Sequence, residues 1–136
     1  APGRRVMALQ GDGSLVFGLP ALWTAARERA PVALVVADNG GYEILRAGME
    51  GLTGRPDGAW PGLAIADPPL DLPSLCRGFG ATAAEVERRD DLPDALGDLW
   101  LRARVGPAAL VVRVRGRTAP VGYPLTSVPG RPASPP

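Results

Sequence analysis

Two short polar clusters in the sequence carry residue types that bind phosphates and divalent cations. Gly-Asp-Gly-Ser at 11–14 follows the apolar run 5–10, and Asp-Asn-Gly-Gly at 38–41 follows the apolar run 32–37. Glycines at a strand-to-helix turn let backbone N–H groups approach an anion at the positive end of the helix. Ligands of open parallel sheets collect beyond the carboxyl ends of the strands. We therefore expect both clusters to face one phosphate-binding crevice.

Asp12 decides which kind of phosphate site the sequence predicts. A dinucleotide-binding loop needs G-x-G-x-x-G, but Val16 stands at the third glycine position and the Asp12 carboxylate would repel a pyrophosphate. A divalent cation between carboxylate and phosphates would neutralise both. Asn39, the only asparagine, offers an amide oxygen 27 positions after Asp12. Each residue alone is also a common turn former, whereas a pair separated by one helix and one strand favours a shared magnesium site.

Composition excludes several other functions. The chain has 136 residues and 14.1 kDa, which is enough for one compact domain. Its 15 cationic side chains, all arginine, nearly balance 14 acidic ones and leave a formal net charge of +1. The basic field that nucleic acids or membrane surfaces require is therefore missing. Without lysine or histidine, any reaction must depend on carboxylates, the backbone or a cofactor.

The single cysteine, Cys76, bears on location. It can form neither an intrachain disulfide nor a thiolate metal site, which favours a reducing, cytoplasmic compartment. We expect it to be a small buried apolar residue. No apolar run approaches the ~20 residues of a membrane span.

Apolar periodicity predicts alternating strands and helices. Strands are expected near 5–10, 32–37, 81–86 and 109–114, with the first two as neighbours and with Gly11 and Asp38 at the same sheet edge. The predicted helices are 15–30, broken near Gly18 with Pro20 in a first turn, 42–49, 72–79 and 92–104. This alternation indicates an α/β fold, a parallel sheet with helices on both faces.

Two segments fall outside this alternation. Residues 47–70 are rich in Gly and Pro and are expected to form a loop over a site. Residues 116–136 turn to Pro, Gly, Ser and Thr and are expected to be an extended or disordered tail after a domain at 1–115. Because the chain does not begin with Met, we expect it to be part of something longer.

The motifs resemble those of the thiamine diphosphate enzymes. Their diphosphate-binding domain carries a GDG turn, a helix, a strand and an NN pair, which match 11–13 and 38–39 here. The stretch 11–46, including ALWTAA at 21–26, is similar to benzoylformate decarboxylase and acetolactate synthase-like members. So is LDLPSLCRGFGATAAEVE at 70–87. The resemblance covers about 4–115 and implies an N-terminally incomplete C-terminal domain of that fold.

The resemblance also implies roles for individual residues. Magnesium would be bound by the side chains of Asp12 and Asn39 and by the backbone carbonyl of Gly41. The diphosphate would be reached through N–H and hydroxyl groups of the first cluster and by backbone next to Tyr42. The full set of implied cofactor-binding residues is Gly11, Asp12, Gly13, Ser14, Asn39, Gly41 and Tyr42. Asp38 replaces the first asparagine of the pair and adds a negative charge beside the metal.

In these enzymes the cofactor performs the chemistry on a small 2-oxo acid. A glutamate of a pyrimidine-binding domain, usually on a neighbouring subunit of an oligomer, activates it, and this sequence contains no such region. The leading hypothesis is the thiamine diphosphate- and Mg-binding portion of a 2-oxo acid decarboxylase resembling benzoylformate decarboxylase, inactive as an isolated chain. Alternatives are an acetolactate synthase-like carboligase and a non-catalytic binding or assembly module.

Overall fold

A computed structural model describes residues 4–55, 60–65 and 68–116. In these ranges the chain forms four strands and four α-helices, with two helices in succession between the second and third strands and one 3-10 turn at Arg89–Asp91. The strands are β1 (Val6–Gly11), β2 (Val32–Asp38), β3 (Thr82–Val86) and β4 (Ala108–Arg113). The helices are α1 (Asp12–Arg27), α2 (Glu43–Thr53), α3 (Leu72–Gly78) and α4 (Leu92–Arg102).

The strands form one parallel sheet in the order β1-β2-β4-β3. The register pairs Gly11 with Ala37, and Asp38 with Arg113, so the strands end together at one edge of the sheet. The expected adjacency of the first two strands is confirmed. All three pairings are parallel because every return to the starting edge runs through helical chain.

Helices cover both faces of the sheet, as expected. On one face, α1 and α3 bury Leu15, Leu22 and Cys76 against Val36 and Val111. On the other face, α4 buries Leu99 against the opposite side of the sheet. β2 and β4 are central and nearly continuously apolar, which is typical of strands buried on both sides.

Cys76 lies in the first of these clusters and is fully buried, as predicted. Desolvation by burial raises the pKa of its thiol, with a smaller opposing effect of the nearby Arg77 charge. The cysteine therefore has the character of a packing residue rather than of a nucleophile.

The predicted break of the first helix is wrong. Helix α1 runs unbroken from Asp12 and contains Pro20 in its interior rather than in a first turn. Proline cannot donate a hydrogen bond to the carbonyl of Val16, four residues earlier. Pro20 is exposed, and the buried Leu19 and Leu22 on either side of it keep the helix packed against the sheet.

Other element ends differ by a few residues from the predictions, and α2 is the largest difference. It extends to Thr53, into the segment expected to be loop, and ends at Gly54, whose φ of 66° is left-handed and suits glycine. Residues 117–136 of the predicted tail lie outside the described residues. In the described ranges, no helix is both long and apolar enough to cross a membrane.

Candidate cofactor and metal site

The site begins where β1 ends and α1 starts without an intervening loop. Gly11 is the N-cap of α1 in an extended conformation, and Asp12 is the first helical residue. The turn points the Asp12 side chain into the protein, where the residue is only 3% exposed. A buried carboxylate must be compensated by hydrogen bonds or charge.

The Asp12 carboxylate joins the two strand ends. Its Oδ1 accepts from the N–H of Gly13 at 2.8 Å, and its Oδ2 accepts from the N–H of Gly41 at 2.9 Å. Gly41 lies three residues after the end of β2, so one side chain ties the first polar cluster to the second. The two polar clusters therefore meet at the carboxyl ends of β1 and β2, where Asp12, Asp38 and Gly40 line a small cavity of about 70 Å³.

Asn39 meets Asp12 at the same amide. Its Oδ1 accepts from the Gly41 N–H at 3.1 Å, so an oxygen of each side chain lies within hydrogen-bonding distance of one nitrogen. Within the described part of the chain, no amide or side-chain donor bonds to the Gly41 carbonyl. A carboxylate oxygen, an amide oxygen and a free carbonyl thus belong to three residues that meet at this turn.

Tyr42 packs across the first turn of α1. A Cβ atom added to Gly13 would lie 2.4 Å from Cε1 of Tyr42, so only glycine fits beneath the ring. The Tyr42 ring also faces Phe17, with centroids 6.2 Å apart. Ser14 is exposed in the same turn, and α1 has no side-chain N-cap bond. The Gly13 N–H already donates to Asp12, so the Ser14 N–H and hydroxyl are the first-turn groups that remain candidates for an anion.

The segment 60–65 covers the second cluster. The Tyr42 N–H donates to the Leu63 carbonyl at 2.9 Å, and the Ile65 N–H donates to the Gly40 carbonyl at 2.8 Å. A Cβ on Gly41 would lie 2.6 Å from the Leu63 oxygen, which explains glycine at this position. This part of the loop expected at 47–70 does lie over the site.

The Asp38 side chain lines the same small cavity as Asp12 and forms an ion pair with an arginine of β4, a partner that sequence reasoning did not identify. Asp38 Oδ2 lies 2.9 Å from Nη1 of Arg113, and Nη2 of Arg113 donates to Glu85 at 3.0 Å. Arg113 stands at the end of its strand in register with Asp38. The sequence does show an arginine at the end of an apolar strand. Which residue lies beside that arginine depends on the strand order, which the sequence does not reveal.

An open cleft of about 330 Å³ adjoins this pair. Its lining includes Asp38, Glu85, Arg113 and the N-terminal end of α3. Asp71 caps α3 by accepting from the Ser74 N–H at 2.9 Å. Hydrogen bonds from the Ser74 hydroxyl and amide lower the pKa of the Asp71 carboxyl.

Over the described ranges, no group of three or more His, Cys, Asp or Glu side chains could hold a metal. The candidate site differs in kind, since it combines one carboxylate with an amide and a backbone carbonyl.

A family model for the thiamine pyrophosphate enzyme C-terminal TPP binding domain matches residues 1–112. The chain belongs to this family. The expected resemblance is confirmed, as is the α/β fold, in the arrangement of the thiamine pyrophosphate enzymes.

Relatives support the same assignment to the thiamine pyrophosphate enzymes. Benzoylformate decarboxylase of Pseudomonas aeruginosa is 39% identical over 95 residues, which are 70% of this chain and 17% of the relative. Acetolactate synthase of Bacillus subtilis is 30% identical over 95 residues, 70% of this chain and 16% of the relative. The chain therefore spans less than a fifth of the length of either protein.

Solved structures of thiamine pyrophosphate enzymes superimpose on the chain. A thiamine diphosphate-dependent 4-hydroxybenzoylformate decarboxylase of Rhodococcus jostii RHA1 gives a TM-score of 0.73 at 31% identity. The match covers 88% of this chain and 21% of that structure. The shared architecture thus includes most of this chain.

Proposed function

We propose that the chain forms the thiamine diphosphate- and magnesium-binding part of a 2-oxo acid decarboxylase resembling benzoylformate decarboxylase. The observation that carries this proposal is the meeting of Asp12 and Asn39 at one backbone amide, that of Gly41. The aromatic 2-oxo acid decarboxylases among the relatives support the choice of reaction.

The donors at this turn fit magnesium by their chemistry. Carboxylate, amide and carbonyl oxygens are hard ligands, and Mg²⁺ prefers an all-oxygen shell that retains water and substrate phosphate oxygens. Asp12 and Asn39 would hold the ion through side-chain oxygens, and Gly41 would hold it through the carbonyl that accepts no described hydrogen bond. The Gly41 N–H keeps both side chains directed to the same place.

The first turn of α1 fits a diphosphate. Ser14 would bind it through its backbone N–H and exposed hydroxyl, aided by the positive end of the helix, and the Gly13 N–H, which donates to Asp12 in this structure, would have to turn from Asp12 to join them. Backbone next to Tyr42 would complete the contact, with Tyr42 held by its hydrogen bond to Leu63. The Asp12 carboxylate, repulsive to phosphate alone, becomes favourable with a cation between them.

When bound, thiamine diphosphate supplies the nucleophile and the electron sink for release of carbon dioxide from a 2-oxo acid. The chain's own residues bind and orient its diphosphate end. No described glutamate is assigned the activating role: Glu43, on α2, lies 3.5 Å from Arg46 in an ion pair. We propose that the activating glutamate belongs to a pyrimidine-binding domain or subunit and that the isolated chain is inactive.

Exposed apolar side chains beside the site support such a partner. Phe17 on α1 is 79% exposed and Ile44 on α2 is 65% exposed, although both are large apolar residues. Leu9 on β1, an edge strand of the described sheet, is 75% exposed. Surfaces of this kind mark interfaces. We propose that the pyrimidine-binding part of the enzyme covers them, within a homo-oligomer.

The proposed location is the cytoplasm. The one cysteine is buried and reduced, and it contributes to packing rather than to a crosslink.

The acetolactate synthase among the relatives favours a second candidate reaction, carboligation of 2-oxo acids with the same cofactor. A binding or assembly module with this fold is a third possibility. The decarboxylase and the carboligase would bind the diphosphate and metal in the same way and differ in the product that they release. The binding or assembly module would not turn over a substrate.

The test uses the natural polypeptide in which these residues occur. Calorimetric titration with thiamine diphosphate in the presence of Mg²⁺, and again with excess EDTA, should show binding that depends on the metal. Carbon dioxide release from benzoylformate and from pyruvate, measured with acetolactate formation, then separates the two reactions. Metal-dependent binding without turnover, with the pyrimidine-binding part present, would favour the non-catalytic module. No binding would contradict the proposal.

A further inference from the structure

We propose that Arg113 is a positioning residue, which balances the charge of Asp38 and thereby fixes the turn 38–41 that presents Asn39 and Gly41 to Asp12. Its expected effect on cofactor binding rests on the proposed function, whereas its effect on the turn does not.

Asp38 is held on both sides by groups that leave it little freedom. Its side chain is 8% exposed, with Oδ2 2.9 Å from Nη1 of Arg113. Its Oδ1 accepts from the Gly40 N–H at 3.0 Å, and its backbone carbonyl accepts from the Val114 N–H at 2.8 Å. The end of β4 therefore anchors both the side chain and the backbone of Asp38.

The Gly40 contact connects Asp38 to the site. Gly40 has a left-handed φ of 75°, and the next N–H, that of Gly41, is the one shared by Asp12 and Asn39. Holding the Gly40 amide on Asp38 fixes the direction in which the Gly41 amide points. If Asp38 moves, the Gly41 N–H loses its alignment with the two candidate ligands.

Breaking the ion pair between Asp38 and Arg113 affects the two residues differently. Arg113 is 53% exposed and also binds Glu85 at 3.0 Å, so it remains solvated and paired without Asp38. Asp38 has no comparable access to water and would become an uncompensated buried charge. Its free oxygen would then compete for a cation beside Asn39. Removing the arginine should therefore be far more damaging than neutralising the aspartate.

This asymmetry defines the variants. Arg113→Gln removes the cation, Asp38→Asn removes the charge but keeps an acceptor for the Gly40 amide, and the double variant removes both charges. Arg104→Gln is the matched control, since Arg104 is exposed and follows α4. Glu85→Gln tests whether the other arm of Arg113 matters. All are made in the natural polypeptide.

Two readouts separate the turn from the cofactor. Amide hydrogen exchange of peptides spanning 38–42, without cofactor, should be about tenfold faster in Arg113→Gln, as expected for loss of a charge-assisted hydrogen bond. The exchange should return to within about threefold of wild type in the double variant. Thiamine diphosphate affinity with Mg²⁺ should follow the same order, with Asp38→Asn, Glu85→Gln and Arg104→Gln all close to wild type.

The outcomes are distinguishable. If wild type binds no cofactor, the proposed function fails, and hydrogen exchange still decides the role of Arg113. If Arg113→Gln does not fold, a folded double variant with native exchange at 38–42 supports the proposal. An Arg113→Gln protein indistinguishable from Arg104→Gln, or a double variant no better than Arg113→Gln alone, would overturn it.

Discussion

The carboxylate of Asp12 accepts a hydrogen bond from the amide of Gly41, 29 residues later, at 2.9 Å. This bond connects the start of α1, directly after β1, to the turn 38–41, which follows β2 and contains Asn39. It makes Asp12 both a structural link and a candidate metal ligand, so these two roles must be separated experimentally.

Asp12→Asn removes the charge that would balance Mg²⁺ and keeps one oxygen acceptor in place of two, so it also loses the hydrogen bond from either Gly13 or Gly41. Chemical denaturation of the same variant measures this structural part of the effect. We expect metal-dependent cofactor affinity to fall by about 100-fold or more, beyond the 10–100-fold typical of residues that only support a ligand. Asp98→Asn, on the exposed face of α4, is the control. Equal calorimetric affinities of the two variants would show that Asp12 does not bind the metal.

Gly13→Ala should displace the Tyr42 ring, since the new Cβ would lie 2.4 Å from it. We expect destabilisation of about 1–3 kcal/mol, typical of overpacking. Gly18→Ala, in the same helix with open space around it, should instead stabilise by about 0.5–1 kcal/mol. Chemical denaturation measures both. A neutral Gly13→Ala would mean that the ring does not rest on α1.

Cys76 should react slowly with a disulfide reagent such as DTNB in the folded protein. Burial raises the pKa of its thiol, so at pH 8 the thiolate fraction is smaller than in the unfolded chain, and access is blocked as well. The labelling rate should rise steeply across the denaturant transition. Rapid labelling of the native protein would contradict the packing of α3 against α1.

Leu15 and Phe17, two positions apart on α1, should behave oppositely. Leu15 is fully buried, so Leu15→Ala should cost about 2–5 kcal/mol of unfolding free energy. Phe17 is mostly exposed, so Phe17→Ala should leave the unfolding free energy of the isolated chain almost unchanged. If its surface is an interface, Phe17→Ala should weaken assembly, as measured by analytical ultracentrifugation. Unaltered assembly would remove Phe17 from the proposed interface.

The sequence was sufficient for the elements whose patterns are local. Two apolar runs followed by glycine-rich polar clusters predicted β1 and β2, their adjacency and the convergence at their ends. Pro20 misled because its local effect on a helix is unfavourable, whereas the burial of Leu19 and Leu22 on the sheet outweighs it. The ion pair of Arg113 with Asp38 could not be predicted without the strand order, because β4 lies between β2 and β3 although β3 comes before it in the chain.

The contacts of the segment 60–65 also could not be predicted from the sequence. Its Gly- and Pro-rich surroundings predicted a loop over a site, but its backbone pairing with Gly40 and Tyr42 has no sequence signature. The sequence predicts Gly41 only as a turn residue. The structure shows why a side chain is excluded there, because a Cβ atom would collide with the Leu63 oxygen.

The most direct test of the cofactor half-site is anomalous diffraction from crystals of the natural polypeptide grown with thiamine diphosphate and Mn²⁺ in place of Mg²⁺. We expect one manganese peak within bonding distance of an Asp12 carboxylate oxygen, Asn39 Oδ1 and the Gly41 carbonyl, with the diphosphate at the first turn of α1. A peak bound elsewhere, such as in the cleft beside Asp38 and Glu85, or a diphosphate away from α1, would contradict it.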